Sequence, residues 1–416
     1  MLQVNSERLW NSLMEMAKVG ATAAGGNTRL ALTQQDKQGR ELFIQWCLDA
    51  GMRIHFDAIG NLFARREGKN PQANPIVIGS HLDTQPKGGR FDGIYGVLAG
   101  LEAIRTLNDK NIITGQPLEI AVWTNEEGAR FTPAMLGSAV FTGALALESA
   151  LDITDSDGVS IRQSLNDIDH VGNTPLARTF DAYYEAHIEQ GPVLEEENVT
   201  IGVVTGGQGI CWLDIDVAGV SAHAGTTPMK SRLDPLFGVG EMLTSLEQSL
   251  RKAFPDGLFT LGQIAIPGSS RNTIPSRVKF SVDLRNTDDR ILAAMEASVR
   301  QQITDIAATR GLTVQIDRHW LSPATYFDEG CVTTVRTAAQ ELGYSWRDII
   351  SGAGHDAINM AKYCPTTMVF IPCAGGISHN ESESISQDDA AKGCDVLLNA
   401  LLFRSAQSQA LSCQFR

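Results

Sequence analysis

The stretch Ile76–Thr84, Ile-Val-Ile-Gly-Ser-His-Leu-Asp-Thr, constrains the fold of this chain more than any other. Its short apolar run, bounded by Pro75 and Gly79, is typical of a strand that is buried on both faces of a parallel sheet. We expect this strand to end at Gly79-Ser80 and to be followed by a loop that carries His81 and Asp83. In open α/β sheets, ligands bind where the carboxyl ends of the strands meet such loops. The stretch therefore predicts a metal site at this edge of the sheet.

Helical and strand-like segments alternate on both sides of this stretch. Residues 96–108 carry apolar side chains at helical spacing, and buried strands are expected at 118–124, 182–186 and 366–371. The alternation predicts an α/β domain whose mostly parallel sheet is covered by helices.

The middle of the chain has a different pattern. From residue 209 to residue 324 the expected order is β-α-β-β-α-β, with one strand over 258–266, and this is the order of a ferredoxin-like α+β domain. A chain of 416 residues is also too long for one ordinary hydrophobic core. We therefore expect a discontinuous catalytic domain, residues 1–208 and 325–416, with an inserted lid or dimerisation domain, residues 209–324.

Charge and cysteine content narrow the classes of function. The 34 basic and 48 acidic residues give a net charge of −14, which argues against nucleic acid or an anionic membrane surface as a partner. The N-terminus is polar and no apolar run approaches the ~18 to 20 residues of a membrane span, so we expect neither a signal peptide nor a membrane protein. Seven scattered cysteines without a CxxC pair favour reduced thiols and a cytoplasmic location.

Three of the eight histidines differ from the rest because each follows a predicted strand of the parallel sheet and has carboxylates near it: His81, His187 and His379. A hydrolytic site with two metal ions needs nitrogen and oxygen ligands around positions roughly 3.5–4 Å apart, including one bridging carboxylate. The residues that could supply such a set are His81, Asp92, Glu127, His187 and His379.

Two further positions complete the predicted chemistry. The carboxylate of Asp83 is placed to accept the second N–H of the His81 imidazole and to fix its tautomer. Glu126 and Glu127 are adjacent, so one can ligate an ion while the other stays free as general base and proton shuttle. On spacing alone, Glu126-Glu127-Gly128 is equally well interpreted as the start of a helix.

Motifs spread over most of the chain together resemble the M20 metallopeptidase superfamily, and more narrowly its hydantoinase/carbamoylase branch. These motifs are Gly79–Thr84, Gly89–Gly93, Asn125–Gly128, Glu185–Gly191, Ala222–Met229, Ser270–Asn272, Ser351–Asp356 and Ser378–Glu381. The resemblance implies two divalent ions per subunit, Zn, Mn, Co or Ni, in the predicted catalytic domain.

The resemblance also implies a role for each ligand. Asp92 bridges the two ions, His81 and His187 complete one of them, Glu127 and His379 complete the other, and Glu126 is the base. Peptidase members of the superfamily usually carry a carboxylate at the position of His187, so this histidine favours the amidohydrolase branch.

For substrate binding, the resemblance implies residues from both predicted domains. His223 stabilises the oxyanion in the active site of the partner subunit of a homodimer, although it can also be interpreted as a histidine that caps a turn. Arg285 binds the substrate's α-carboxylate, although its spacing favours a pairing with Asp288 or Asp289. Asn272 binds the same α-carboxylate. The remaining contacts, to the ureido group and the carboxylate, are implied for Gln190, Gly352, Ala353 and Gly354.

The function that the resemblance favours is hydrolysis of a small N-carbamoyl-L-amino acid to the free amino acid, ammonia and carbon dioxide. The alternatives within the branch are β-ureidopropionase and allantoate amidohydrolase. The stretch from Gly128 to Met135 looks more like that of carbamoylases than that of allantoate enzymes. A different class, a non-catalytic metal-binding scaffold, also remains open, but the intact Glu126 argues against it.

Overall fold

The computed structural model describes residues 1–414. Several of its α-helices begin after a capping side chain: the Thr33 hydroxyl accepts the N–H of Asp36, and the Asp328 carboxylate accepts the N–H of Cys331. The helices are α1 (Ser6–Met16), α2 (Gln34–Asp49), α3 (Ile94–Asp109), α4 (Leu136–Phe141), α5 (Leu147–Leu151), α6 (Ile161–Ile168), α7 (Val193–Glu196), α8 (Pro235–Ala253), α9 (Asp289–Thr309), α10 (Glu329–Leu342), α11 (Asp356–Met360) and α12 (Gln387–Gln414).

The strands are rich in β-branched and aromatic residues, and those of the central sheet are buried on both faces. They are β1 (Arg53–Phe56), β2 (Leu62–Arg66), β3 (Ile76–His81), β4 (Leu118–Trp123), β5 (Ala182–Ile188), β6 (Ile201–Gly207), β7 (Gly209–Ala218), β8 (Ala222–His223), β9 (Leu258–Thr260), β10 (Ile264–Ala265), β11 (Thr273–Ile274), β12 (Arg277–Asn286), β13 (Thr313–Ser322), β14 (Thr325–Tyr326), β15 (Trp346–Ser351) and β16 (Thr366–Ile371).

The chain divides into two compact units, Met1–Gly206 with Tyr326–Arg416, and Gly207–Thr325. The first unit contains a sheet of order β1-β2-β4-β3-β5-β16-β6-β14, in which β15 also pairs with β6. The four central strands β4, β3, β5 and β16 are parallel to one another, whereas β1, β2 and β6 pair antiparallel. Because parallel neighbours end at the same edge, the loops after β3, β4, β5 and β16 lie together.

The second unit has the ferredoxin-like sheet order. Strand β7 pairs with β12 on one side and with β13 on the other, and the short strands β9 and β10 both pair with β12, all antiparallel. Apolar side chains of α8 and α9, such as Met242 and Val299, pack with the inward-facing residues of β7 and β12 in a separate hydrophobic core. The alternating burial along β12 follows from this one-sided packing.

Two local expectations are wrong, and one alternative that the spacing left open is decided. Strand β3 does not stop at Gly79-Ser80 but continues to His81. A Cβ at Gly79 would lie 2.4 Å from the ring of Tyr183, so this glycine permits close packing and does not end the strand. The strand expected over 258–266 is split into β9 and β10, and Glu126-Glu127-Gly128 forms a turn, with the next helix beginning only at Leu136.

Two findings bear on the classes of function. Within residues 1–414, none of the helices is long and apolar enough to cross a membrane. The cysteines with described side chains are all free, and Cys413 lies outside the described side chains.

Candidate metal centre

The parallel strands deliver four of the five candidate ligands to one edge of the sheet. His81 is the last residue of β3 and His187 the penultimate residue of β5, so the two lie on adjacent strands. Strand β4 ends at Trp123, which places Glu126 and Glu127 on the loop that follows. His379 lies on the loop after β16. The common edge follows from the strand order alone.

The first group of donors is His81, Asp92 and His187, whose ligand atoms all lie within 4.8 Å of one another. Asp92 Oδ1 is 3.2 Å from His187 Nε2 and 3.8 Å from His81 Nε2. All three residues are buried. Two imidazoles and a carboxylate at this spacing match the ligands that divalent transition metals prefer.

The second group is Asp92, Glu127 and His379, again within 4.8 Å. His379 Nε2 is 3.3 Å from Asp92 Oδ2 and 3.3 Å from Glu127 Oε2. Asp92 therefore directs one carboxylate oxygen to each group, as a carboxylate that bridges two ions must do.

Hydrogen bonds hold the imidazoles with Nε2 directed inward. His81 Nδ1 lies 2.9 Å from the carbonyl oxygen of Asp83, and His187 Nδ1 lies 3.0 Å from that of Ile188. A carbonyl only accepts, so each Nδ1 carries a proton, and Nε2 is the nitrogen that is left to ligate an ion when the ring is neutral. The donor types and these tautomers fit a pair of divalent ions.

The expected role of Asp83 needs a correction. Its backbone carbonyl, and not its carboxylate, accepts from His81, because the carboxylate Oδ1 is 3.9 Å from His81 Nδ1. The two carboxylate oxygens instead accept the backbone N–H groups of Glu126, at 3.3 Å, and Glu127, at 3.2 Å. Asp83 therefore ties the loop after β3 to the loop after β4.

The adjacent glutamates diverge from this tied turn. Glu126 Oε2 lies 3.4 Å from His81 Nε2, whereas Glu127 Oε2 lies beside His379. The N–H and the side-chain amide of Gln85 both donate to Glu127, at 3.2 and 2.8 Å. Glu127 is thus held towards the second group, and Glu126 projects towards the first.

Electrostatics in the site follow from burial and from the crowding of carboxylates. Burial raises the pKa of Glu126 well above its usual value, and the charges of Asp356 and Glu127 raise it further. Burial opposes protonation of His187, but the hydrogen bond and charge of Asp92 outweigh it and raise the pKa of His187 to about 9. The hydrogen bond to Asp92, only partly offset by burial, raises the pKa of His379 to about 9 as well. The side chains that would ligate a metal ion thus carry protons, and an incoming cation displaces these protons.

Glu383 and Ser378 support Asp92, a role that was not predicted from the sequence. The Glu383 carboxylate accepts the N–H groups of Phe91 and Asp92, at 2.9 and 3.1 Å, and the Ser378 hydroxyl donates to Asp92 Oδ2 at 2.8 Å. Their proximity to His379 in the sequence was the available signal. Their function depends on contacts across nearly 300 residues of chain, since Glu383 and Asp92 are 291 positions apart.

His355 and Glu185 form a second buried layer that was also missed. The His355 ring lies 4.5 Å from that of His187, centroid to centroid, and Glu185, His187 and His355 form a third group of donors within 4.8 Å. Glu185 accepts from the hydroxyls of Ser80 and Tyr183, each at 3.0 Å. Its position two residues before His187 on one strand, and therefore on the same face, was the signal for Glu185.

The candidate substrate contacts in the first unit have partners within the protein. The side-chain amide of Gln190 donates to Asp92 Oδ2 at 2.8 Å and to the Ser378 hydroxyl at 3.2 Å. The segment Gly352-Ala353-Gly354 links β15 to the residue before α11, and the N–H of Ala353 donates to the Ser351 hydroxyl at 3.2 Å. The structure therefore places Gln190 directly on the centre, whereas Gly352-Ala353-Gly354 forms a turn.

The other candidate contacts lie in the second unit. His223 ends β8, is exposed, and accepts the N–H groups of Gly225 and Thr226 at Nδ1, at 3.0 and 3.3 Å. The N–H of Ala224 donates to the Asn272 carbonyl at 3.0 Å, so Asn272 is a near neighbour of His223. Arg285 donates to Asp283, two residues before it on the same face of β12, with Nη2 2.9 Å from Oδ2.

The α/β fold and this centre of imidazoles and carboxylates are typical of proteins that bind metal ions. Comparison of the sequence with known families identifies the family. The profile of the family described as Peptidase family M20/M25/M40 matches residues 77–402. The chain therefore belongs to this family.

Individual relatives indicate the branch of the family that the chain resembles. An N-carbamoyl-L-amino-acid amidohydrolase of Rhizobium meliloti is 47% identical over 96% of each chain. A solved hydantoinase/carbamoylase family amidase from Burkholderia ambifaria has a TM-score of 0.91 and 55% identity, covering 97% of this chain and 98% of that one. An allantoate amidohydrolase of Bacillus subtilis is 33% identical over 93% of this chain and 94% of its own. These similarities confirm the predicted fold class and the resemblance to the hydantoinase/carbamoylase branch.

Proposed function

We propose that this chain hydrolyses the ureido C–N bond of N-carbamoyl-L-amino acids, releasing the amino acid, ammonia and carbon dioxide. The observation that carries the proposal is the position of Asp92 between the two donor groups, with the carboxylate of Glu126 beside them. The name of the Rhizobium meliloti relative supports the substrate class. We further propose a cytoplasmic homodimer that acts on small molecules.

Each donor group would hold one divalent ion, Zn, Mn, Co or Ni. His81, Asp92 and His187 would hold the first ion, and Asp92, Glu127 and His379 the second. When bound, such ions polarise the carbonyl of the substrate and lower the pKa of water.

Glu126 is the proposed general base. Its carboxylate takes a proton from the water that attacks the ureido carbonyl carbon and passes it to the nitrogen of the departing amino acid. The bond between that nitrogen and the carbonyl carbon breaks, and the carbamate that remains decomposes to ammonia and carbon dioxide. Burial and neighbouring carboxylates raise the pKa of Glu126, which favours its role as proton acceptor.

His223 is the proposed donor to the oxyanion. Its Nδ1 accepts two backbone N–H groups, so the neutral ring carries its proton on Nε2. A fixed N–H donor of this kind stabilises the negative charge that develops on the carbonyl oxygen. Arg285 and Asn272 are the proposed contacts for the carboxylate of the amino acid, because a planar guanidinium matches a carboxylate with two hydrogen bonds. The proposed ureido and further carboxylate contacts are Gln190, Gly352, Ala353 and Gly354.

The test is ammonia release from a panel of N-carbamoyl-L-amino acids, N-carbamoyl-β-alanine and allantoate, after chelation and after addition of Mn²⁺, Co²⁺, Ni²⁺ or Zn²⁺. We expect turnover of N-carbamoyl-L-amino acids that chelation abolishes and a divalent ion restores. Preference for N-carbamoyl-β-alanine or allantoate would assign one of the alternative activities. Bound metal without turnover of any substrate would favour a non-catalytic scaffold.

A further inference from the structure

Arg29 is a fully buried arginine in the first unit, close to the metal-ligand loops. Its Nε donates to the Leu82 carbonyl at 2.7 Å, and its Nη1 donates to the Val19 carbonyl at 2.7 Å. Its Nη2 has no partner among the described residues. Burying a guanidinium against carbonyl groups costs free energy that an apolar side chain would not cost. The position therefore calls for a reason other than packing.

The segment Gly26–Arg29, which we call the strap, runs alongside the loop that follows β3. The N–H of Arg29 donates to the Thr84 hydroxyl at 2.8 Å, and the N–H of Thr84 donates back to the Arg29 carbonyl at 3.0 Å. Further along, Asn27 and Gly88 exchange two backbone hydrogen bonds of 2.9 and 3.0 Å. The strap is thus hydrogen-bonded to both ends of the loop 82–88.

The loop 82–88 in turn orients groups of the centre. The bond from Arg29 fixes the peptide between Leu82 and Asp83. This peptide follows the proposed ligand His81 by one residue and leads to the carboxylate that ties the glutamate turn. Gln85, three residues further on, holds Glu127. Small rotations of this loop would move all of these groups together.

The strap also touches the loop that carries His379. A Cβ added at Gly26 would lie 2.4 Å from the carbonyl oxygen of Gly88 and 2.7 Å from the Cα of Glu381, both backbone atoms. Only a residue without a side chain allows the strap to approach both loops this closely.

We infer that Arg29 is a positioning residue for the metal centre, which acts through the loop 82–88 on the ligands of both ions. The inference rests on the proposed metal centre. The role of Arg29 is additional to the roles proposed for the ligands themselves. Residues that orient metal ligands change metal affinity by roughly 10- to 100-fold when they are replaced. A residue that only stabilises the fold leaves the affinity of the folded protein unchanged.

The test compares metal affinity in folded variants. Arg29→Met should weaken binding of Mn²⁺ and Zn²⁺, measured by calorimetry on the chelated protein, by about tenfold or more. Arg29→Lys, which keeps the charge and one donor, should restore part of that loss. At saturating metal, kcat should fall while KM stays within about twofold, because Arg29 orients the centre and does not touch the substrate.

Arg66 supplies the matched control. It is partly buried in the same unit, donates to the Ile112 carbonyl at 2.6 Å, and also has one nitrogen without a partner among the described residues. Arg66→Met should lower the melting temperature without changing metal affinity. Wild-type affinity in folded Arg29→Met would overturn the inference. If that variant does not fold, wild-type affinity in both Arg29→Lys and Gly26→Ala would overturn it. Failure of the unmodified protein to bind any of Mn²⁺, Co²⁺, Ni²⁺ and Zn²⁺ would instead refute the proposed centre.

Discussion

The Asp92 carboxylate is ionised and held in one orientation before any ion binds. Its Oδ2 accepts from Ser378 and from Gln190, each at 2.8 Å, and its backbone N–H donates to Glu383. Burial disfavours the charged carboxylate, but hydrogen bonds from His187 and His379 outweigh burial and hold the pKa of Asp92 well below its usual value. The carboxylate is therefore ionised and oriented, so an ion that binds to it need not order it.

At the residue scale, replacing Glu126 separates catalysis from metal binding. Gln has the same shape as Glu but cannot take a proton, so Glu126→Gln should lower kcat by about 10²–10⁴-fold. Metal content, measured by mass spectrometry of the purified protein, should stay at the wild-type value. Glu127→Gln is the matched control and should lose the ion of the second group. Near-normal turnover in Glu126→Gln would show that another group is the base.

Metal affinity should also depend on pH. Without metal, the pKa values of His187 and His379 are raised to about 9, and that of Glu127 is raised to about 8, chiefly by burial. Ions bind the deprotonated groups, so below these values each binding event displaces protons. Affinity should therefore rise with pH up to about 9 and then level off.

Calorimetry in buffers of different ionisation enthalpy measures both the affinity and the number of protons released. His379→Ala should release fewer protons than the unmodified protein at the same pH. An affinity that is constant between pH 6.5 and 9 would contradict this linkage.

At the element scale, the junction between the loop after β3 and helix α3 decides the geometry of His81. Gly93 lies immediately before α3 with a φ of +71°, and its backbone nitrogen lies 3.1 Å from His187 Nε2. A Cβ at this position would lie 2.3 Å from the His81 ring. The helix can start here only because the residue has no side chain.

Gly93→Ala should therefore combine backbone strain with a direct clash. Gly143 is the matched control, because it has a φ of +79° and open space where a Cβ would lie. Both substitutions should lower the free energy of unfolding by about 1–2 kcal/mol through the left-handed backbone. Gly93→Ala alone should also lose metal from the first group. Urea unfolding and metal analysis of both variants test this, and equal metal content in the two would refute the clash.

For the molecule as a whole, the residues proposed to act in catalysis belong to two different units. The proposed metal ligands and base belong to Met1–Gly206 with Tyr326–Arg416, whereas His223, Asn272 and Arg285 belong to Gly207–Thr325. We propose that His223 serves the site of the partner subunit in a homodimer. A ferredoxin-like sheet has an edge strand that can pair with its twin across a two-fold axis.

Mixing inactive His223→Ala and Glu126→Gln subunits tests this sharing. Half of the randomly formed dimers are mixed and each has one intact site, so about a quarter of the wild-type activity should return. Each variant alone, at the same total concentration, is the control, and native mass spectrometry should verify subunit exchange. Demonstrably mixed dimers without activity would show that each subunit uses its own His223.

The fold class and the residue types at the edge of the sheet could be predicted from the amino-acid sequence. Apolar runs such as Ile76-Val77-Ile78 report burial of a segment on both faces, and this property is local. The same holds for β12, where Val278, Phe280, Val282 and Leu284 alternate as expected and are buried. Histidines and carboxylates placed after such runs must meet at one edge, because parallel strands end together.

Which atoms contact one another depends on how distant parts of the chain pack. Asp83 presents its carbonyl to His81 and its carboxylate to the glutamate turn, and no sequence pattern distinguishes these two uses. The sequence predicts a strand end at Gly79. The glycine is needed instead because the ring of Tyr183, 104 positions further along the chain, packs where a Cβ would lie. The reason is physical: periodicity encodes how one segment faces the core. Hydrogen bonds such as the one that Arg29 donates and the one that Glu383 accepts depend instead on the register between distant segments. That register exists only once the chain has packed.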